Sequence, residues 1–212
     1  MLRQSHCPGC TKRGLASLGL AALLFFAAGN ASAHNSSSAG SRAGIPISGI
    51  SHGEMAVIAE YRDRIIDLAS QAIDTNEPFR RVLNYAQIQY SYCFWGQMPG
   101  SVTDERSPFN ECAHAYLAAT KAVLIAMRAM PQEAAAASAI IADADAAMVQ
   151  RGLSLITCRF SGEAFNTADI VRPRWSEIAT HAASMASLSG LVGVLFAAFL
   201  VAKRLLRGQS SV

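Results

Sequence analysis

Charged side chains are scarce in this chain: they make up only 16% of its 212 residues, whereas hydrophobic residues make up 51%. The formal net charge of +3 comes from the two ends, because three of the 18 basic residues precede an N-terminal apolar run and three follow a C-terminal one. The remaining body has 12 basic and 15 acidic residues, a net charge of −3. A nucleic-acid-binding surface needs Lys and Arg clustered on the domain itself. We therefore expect no nucleic-acid partner.

Motifs that would identify an enzyme or a cofactor are also missing. The sequence has no P-loop, no G-x-G-x-x-G, no G-x-S-x-G and no C-x-x-C-H. Cys7 and Cys10 form a C-x-x-C pair, but a zinc site would need a second pair and a redox site a βαβ context. We therefore predict a protein without a catalytic site and without a cofactor.

A long apolar run near the C-terminus is the feature around which the chain is organised. Ala182–Ala202 is free of charge over 21 residues and is followed by Lys203, Arg204 and Arg207. A helix of this length rises about 30 Å, which matches the hydrocarbon core of a bilayer. We predict a transmembrane helix over residues 176–204, including a juxtamembrane start. The basic flank predicts a cytoplasmic tail over residues 205–212.

The N-terminus has the features of a secretory signal peptide. Three basic residues precede the apolar run Gly14–Ala28, and the small-residue trio that follows ends at Ala33. This order predicts a signal peptide over residues 1–33, the alternative being a retained anchor. With the C-terminal helix, it predicts a single-pass protein of the inner (plasma) membrane whose N-terminal domain is periplasmic or extracellular.

The body between these segments has helical rather than strand periodicity. Residues 34–50 are rich in Ser, Gly and Ala and are predicted to be a flexible linker. Ser51 and Glu54 form a capping box that starts the first helix. Apolar residues then recur at steps of three and four, which is typical of amphipathic helices. We predict an all-α fold, a small exported helical bundle over residues 51–175, tethered by the C-terminal transmembrane helix.

Three cysteines lie outside the leader, and an oxidising compartment favours their pairing. Cys93 lies near the end of the second predicted helix and Cys112 near the start of the third. If these helices form an antiparallel hairpin, both cysteines face each other about one turn from its loop. We favour a Cys93–Cys112 disulfide, with Cys158 free or paired between chains. A bond from Cys158 to either of the others, or no disulfide, are the alternatives.

One local pattern has the chemistry of a metal site. Glu111 and His114 form E-x-x-H, which places a carboxylate and an imidazole on one face of a helix. A di-iron site would need a second copy and two further Glu residues, which the sequence does not supply, so we predict no metal ligand. The alternative function is a tethered metal-binding or enzymatic bundle that uses Glu111, His114 and His52, a residue otherwise expected on the surface.

The favoured function is an interaction protein, a scaffold or accessory subunit of an envelope assembly. Tyr92 and Trp95 do not fit the buried face of their helix, so they are candidates to anchor a partner protein, although ordinary packing is the alternative. An accessory role in a secretion or conjugation apparatus is a further alternative. Small residues form two stripes along the predicted transmembrane helix, and such stripes predict association with other envelope proteins or with a second copy. The residues are Ser189, Gly193 and Ala197 in one stripe and Ala186 and Gly190 in the other.

Overall fold

The computed structural model describes residues 44–209. The predicted signal peptide, the first part of the predicted linker and the last three residues of the predicted tail lie outside this range. The described part is mostly helical, as predicted. Its α-helices are α1 (His52–Ser70), α2 (Glu77–Tyr92), α3 (Asn110–Met127), α4 (Ala134–Gln150) and α5 (Ala182–Gln209). Two short strands, β1 (Pro46–Ile47) and β2 (Phe165–Asn166), and three 3-10 turns, Phe94–Gly96, Leu153–Leu155 and Trp175–Thr180, complete the described elements.

The capping box at the start of α1 is present as predicted. The Glu54 amide donates to the Ser51 hydroxyl at 3.1 Å, and the Ser51 amide donates to the Glu54 carboxylate at 2.8 Å. Two of the amides that a helix start leaves without intrahelical partners are thereby satisfied. The same carboxylate also accepts a hydrogen bond from Lys121 of α3 at 2.5 Å. Glu54 of the capping box therefore also joins α1 to α3.

Helix α3 is the centre of the domain and packs against α1, α2 and α4. Thirteen of its 18 residues are buried, because small and apolar side chains surround the helix on nearly every side. Alanine is the commonest residue of this set, with four of the thirteen, which allows the neighbouring helices to approach closely. Polar groups that lie on α3 are therefore forced into the interior.

A disulfide joins the end of α2 to the first turn of α3, and the pairing is the one predicted. The Cα atoms of Cys93 and Cys112 lie 5.8 Å apart. Beside this disulfide, the fully buried Gln89 makes two hydrogen bonds with the main chain of Val171. Its Nε2 donates to the Val171 carbonyl at 2.6 Å, and its Oε1 accepts from the Val171 amide at 3.0 Å. Gln89 thus fixes the segment that leads to α5 against the α2–α3 hairpin.

The prediction of a flexible linker over residues 34–50 is wrong for the last residues of that range. β1 pairs antiparallel with β2, and both Ile47 and Ile50 are almost completely buried in the core. The Ile45 amide donates to the Thr167 hydroxyl at 2.8 Å. The Ser- and Gly-rich composition predicted flexibility, but burial of the isoleucine side chains and pairing with a distant strand order this segment.

Helix α5 begins at Ala182, so the predicted juxtamembrane start is a 3-10 turn rather than part of the helix. Ala182–Arg204 is long and apolar enough to cross a membrane, and it is not buried within the protein. Leu188, in its second turn, packs against the buried cluster of Met98, Phe109 and Ile178. The domain therefore contacts α5 inside its apolar stretch.

Candidate metal centre

Three potential metal ligands from distant parts of the chain meet at one end of α1. His52 is the first residue of α1, His114 lies in the second turn of α3, and Cys158 lies in the segment after α4. One donor atom from each lies within 4.8 Å of the donors of the other two. His114 is fully buried, whereas His52 and Cys158 are partly exposed. The cluster is therefore reachable from solvent on one side.

The hydroxyl of Ser161 holds two members of the cluster together. It accepts hydrogen bonds from the Cys158 amide at 2.8 Å and from the His52 amide at 3.1 Å. Its own hydrogen points to the Cys158 sulfur, with the oxygen and sulfur 3.7 Å apart. A serine hydroxyl has one donor and two acceptor positions, so this side chain uses its full capacity in positioning the cluster.

A glycine permits the close approach of the cysteine-bearing segment to α1. The Gly53 amide donates to the Ile156 carbonyl at 3.1 Å. A Cβ at Gly53 would lie 2.0 Å from the Leu153 carbonyl oxygen, well inside van der Waals contact. Only glycine fits between α1 and the 3-10 turn Leu153–Leu155. The position of Cys158, which follows this turn, therefore depends on residue 53 having no side chain.

The donor atoms of the cluster all lie within 4.8 Å of one another, which is near to but not at the spacing around a tetrahedral metal ion. His114 Nε2 lies 3.1 Å from Cys158 Sγ, and the rings of His52 and His114 have centroids 5.9 Å apart. Bond lengths to zinc of about 2.0–2.3 Å place tetrahedral ligand atoms about 3.3–3.8 Å from one another. The Nδ1 atoms of both histidines are buried without a hydrogen-bond partner. Buried polar atoms without partners are uncommon, and a bound ion is one reason for the one at His52. It does not account for His114 Nδ1, because His114 faces Cys158 through Nε2.

The protonation of His114 suits a ligand. Burial, with a smaller contribution from the neighbouring His52, lowers the pKa of His114 to about 4. The imidazole is therefore neutral near pH 7 and keeps the lone pair that coordination requires. Phe160 lies against the same ring, with centroids 6.1 Å apart, and covers it from solvent.

Of the predicted E-x-x-H pair, the structure brings His114 into the cluster but not Glu111. Arg174 lies 3.9 Å from the Glu111 carboxylate. Burial is the largest cause that raises the pKa of Glu111, and Glu163 adds to it. The carboxylate thus belongs to a neighbouring ionic group, and the third donor comes from Cys158.

A second arrangement of polar groups lies where α5 begins. His181 contacts the Ser184 hydroxyl at 2.7 Å through Nδ1 and Asp104 at 3.2 Å through Nε2. This is the connectivity of a Ser-His-Asp triad, but Ser184 is fully buried and offers no hydroxyl to a substrate. His181 Nδ1 also accepts from the Ser184 amide at 3.3 Å, as a helix N-cap does. We therefore assign this group to capping of α5.

Both predicted partner anchors are exposed. Tyr92 and Trp95 retain 45% and 58% of their surface, although what they contact outside the domain stays a prediction. Association through the small residues of α5 likewise stays a prediction. A Cβ at Gly190 or Gly193 would meet nothing within 4 Å.

Sequence reasoning placed His52 with His114 in the alternative metal-binding function, but it missed Cys158 and Ser161 as members of the same cluster. His52 was otherwise expected at the surface because it lies in the first turn of a capped helix. Cys158 was expected to be free or paired between chains, with a bond to Cys93 or Cys112 as the alternative. One signal was present, since an odd cysteine in a domain expected to be exported is a candidate free thiol. No family model, no curated protein and no solved structure matches this chain.

Proposed function

We propose that this chain is a single-pass membrane protein whose exported helical bundle binds a transition-metal ion through His52, His114 and Cys158. The observation that supports metal binding most strongly is the convergence of the three donor atoms within 4.8 Å. The apolar length of α5 and the basic residues after it support a membrane anchor with a cytoplasmic tail.

The donor set favours zinc, with copper(I) as the chemical alternative. A thiolate with two imidazoles suits these ions, whereas magnesium, calcium and manganese prefer oxygen ligands. Three protein ligands leave one tetrahedral position for water or for another molecule. Because two ligands are partly exposed, the ion can enter from solvent and be exchanged there. An accessory role in the envelope and the absence of catalysis are consistent with this proposal and stay predictions.

The test is metal analysis of the full chain purified in mild detergent without chelators. We expect about one zinc per chain after incubation with Zn²⁺, and strong loss of binding in His52→Gln and in Cys158→Ser. Glu111→Gln is the matched control, because the proposal places this carboxylate outside the ligand set, and it should bind zinc as the parent chain does.

Two results would contradict the metal centre. One is a correctly folded parent chain that retains neither zinc nor copper(I). The other is equal retention by the parent chain, His52→Gln and Cys158→Ser. Loss of zinc in Glu111→Gln alone would instead favour the E-x-x-H pair. Circular dichroism of each variant separates loss of the ligand from loss of the fold.

A further inference from the structure

We propose that an exposed aromatic surface at the base of the domain rests in the interfacial layer of the same bilayer that α5 crosses. This aromatic surface consists of Tyr92, Phe94, Trp95 and Trp175. The inference depends on the proposed membrane crossing and is independent of the metal centre. Its occupant is lipid at the level of the headgroups, rather than a protein.

The aromatic surface is continuous and unusually exposed for such large side chains. Trp95 retains 58% and Trp175 52% of its surface, with Tyr92 and Phe94 at 45% and 37%. The rings of Phe94 and Trp175 meet edge to face with centroids 5.5 Å apart. Together these residues line an open groove. Adjacent exposed aromatics of this kind indicate a surface that another phase or molecule covers.

The backbone holds two of these side chains in an unfavourable conformation. Phe94 and Trp95 have φ angles of 54° and 51°, and Gly96 follows at 62°. Bulky residues seldom adopt positive φ, because the side chain then lies too close to the backbone. The fold therefore accepts strain in the turn that presents these aromatics. Strain of this kind tends to occur at functional positions.

The position of α5 identifies the occupant. The Phe109 ring lies 5.9 Å from Phe94 and 6.0 Å from Trp175, between centroids. Phe109 also belongs to the cluster against which Leu188 of α5 packs. Leu188 is about 9 Å along α5, inside the stretch that would enter the membrane. Residues of the domain that pack against Leu188 must therefore lie at the boundary of the bilayer. Phe109 is one of them, and its ring lies directly beside the aromatic surface.

The chemistry of the aromatic surface matches this boundary. Trp and Tyr are enriched at membrane–water interfaces, where an apolar ring faces the acyl chains and a polar N–H or O–H faces water. Arg172 lies in the same groove, and its long side chain can reach lipid phosphates from there. Trp175 starts the 3-10 turn that leads directly into α5, so the chain itself keeps this surface next to the span.

The composition of the chain provides a specific test. Its two tryptophans are Trp95 and Trp175, so intrinsic tryptophan fluorescence reports on the aromatic surface alone. The full chain is reconstituted into phosphatidylcholine vesicles, purified by flotation, and compared with vesicles whose acyl chains carry bromine near the headgroup. We expect brominated lipid to remove most of the emission, and aqueous acrylamide to quench weakly. Trp95→Phe and Trp175→Phe should each leave one tryptophan that brominated lipid quenches.

The outcomes separate this inference from the membrane anchor. Failure to float with vesicles would contradict both. Flotation with strong acrylamide quenching and no bromine quenching would contradict the lipid contact alone. Protection from acrylamide that appears only when other membrane proteins are added would also contradict it, because the surface would then bind a protein.

Discussion

The substitution Gly53→Ala tests whether the contact between α1 and the cysteine-bearing segment determines the metal centre. Two effects oppose each other at this position. Alanine favours a helix over glycine by about 1 kcal/mol. The new Cβ, however, would lie 2.0 Å from the Leu153 carbonyl oxygen and 2.8 Å from its carbon. Both atoms are backbone, so the whole turn has to move.

The structure indicates which effect is larger. Displacing the turn weakens the hydrogen bond from the Gly53 amide to the Ile156 carbonyl, worth about 1 kcal/mol. Overpacking of a filled site costs about 1–3 kcal/mol. After subtraction of the gain in helix propensity, we expect a net loss of about 1–3 kcal/mol in the free energy of unfolding. Because Cys158 follows this turn, zinc affinity should fall as well.

The assay is urea unfolding of the full chain in nanodiscs together with a zinc competition titration. At a typical slope of about 2 kcal/mol per molar urea, the midpoint should fall by roughly 0.5–1.5 M. Gly193→Ala makes the same chemical change where a Cβ meets open space, so only the gain in helix propensity applies, and it should lower neither the midpoint nor the zinc affinity. A Gly53→Ala variant as stable as the parent, with undiminished zinc affinity, would refute the reasoning.

Two further predictions concern stability. Replacing Cys93 and Cys112 together by serine should lower the free energy of unfolding by about 3 kcal/mol, because the disulfide closes a loop with a sequence separation of 19; an unchanged urea midpoint would contradict this. Burial acts to raise the pKa of Glu54, but its hydrogen bonds with Lys121 and with the Ser51 amide lower it overall below 4.5. The stability that this carboxylate contributes is therefore complete above the ordinary Glu pKa and is lost as the pH falls through the lowered value. Thermal unfolding across this range should show a shallower acid dependence in Lys121→Met than in the parent chain, and identical slopes would contradict the role of the pair.

Local signals in the sequence predicted the features that depend on neighbouring residues. Ser51 and Glu54 are three positions apart, so their capping box follows from chemistry within one turn. The Cys93–Cys112 disulfide required only that two consecutive helices form a hairpin. Helix α5 was predicted from length and apolar composition alone, although its first turn begins later than expected.

The features that were missed depend on contacts between distant segments. Ile47 is buried because its strand pairs with β2, more than a hundred positions further along the chain. His52, His114 and Cys158 come together through helix packing and through one serine hydroxyl, and no local pattern contains this information. The positive φ angles at Phe94 and Trp95 depend equally on tertiary contacts, because these residues have no intrinsic preference for that conformation.

The pair of hydrogen bonds between Gln89 and Val171 has a mechanical consequence if the domain is anchored through α5, as we propose. Tension transmitted from α5 reaches the domain along the connecting segment, first where the Arg174 amide donates to the Pro108 carbonyl and then at these two bonds, which act in parallel. The load then passes to the α2 end that the disulfide covalently fastens to α3. A pull on the anchor would thus be shared by α2 and α3 through a covalent bond instead of separating the two helices.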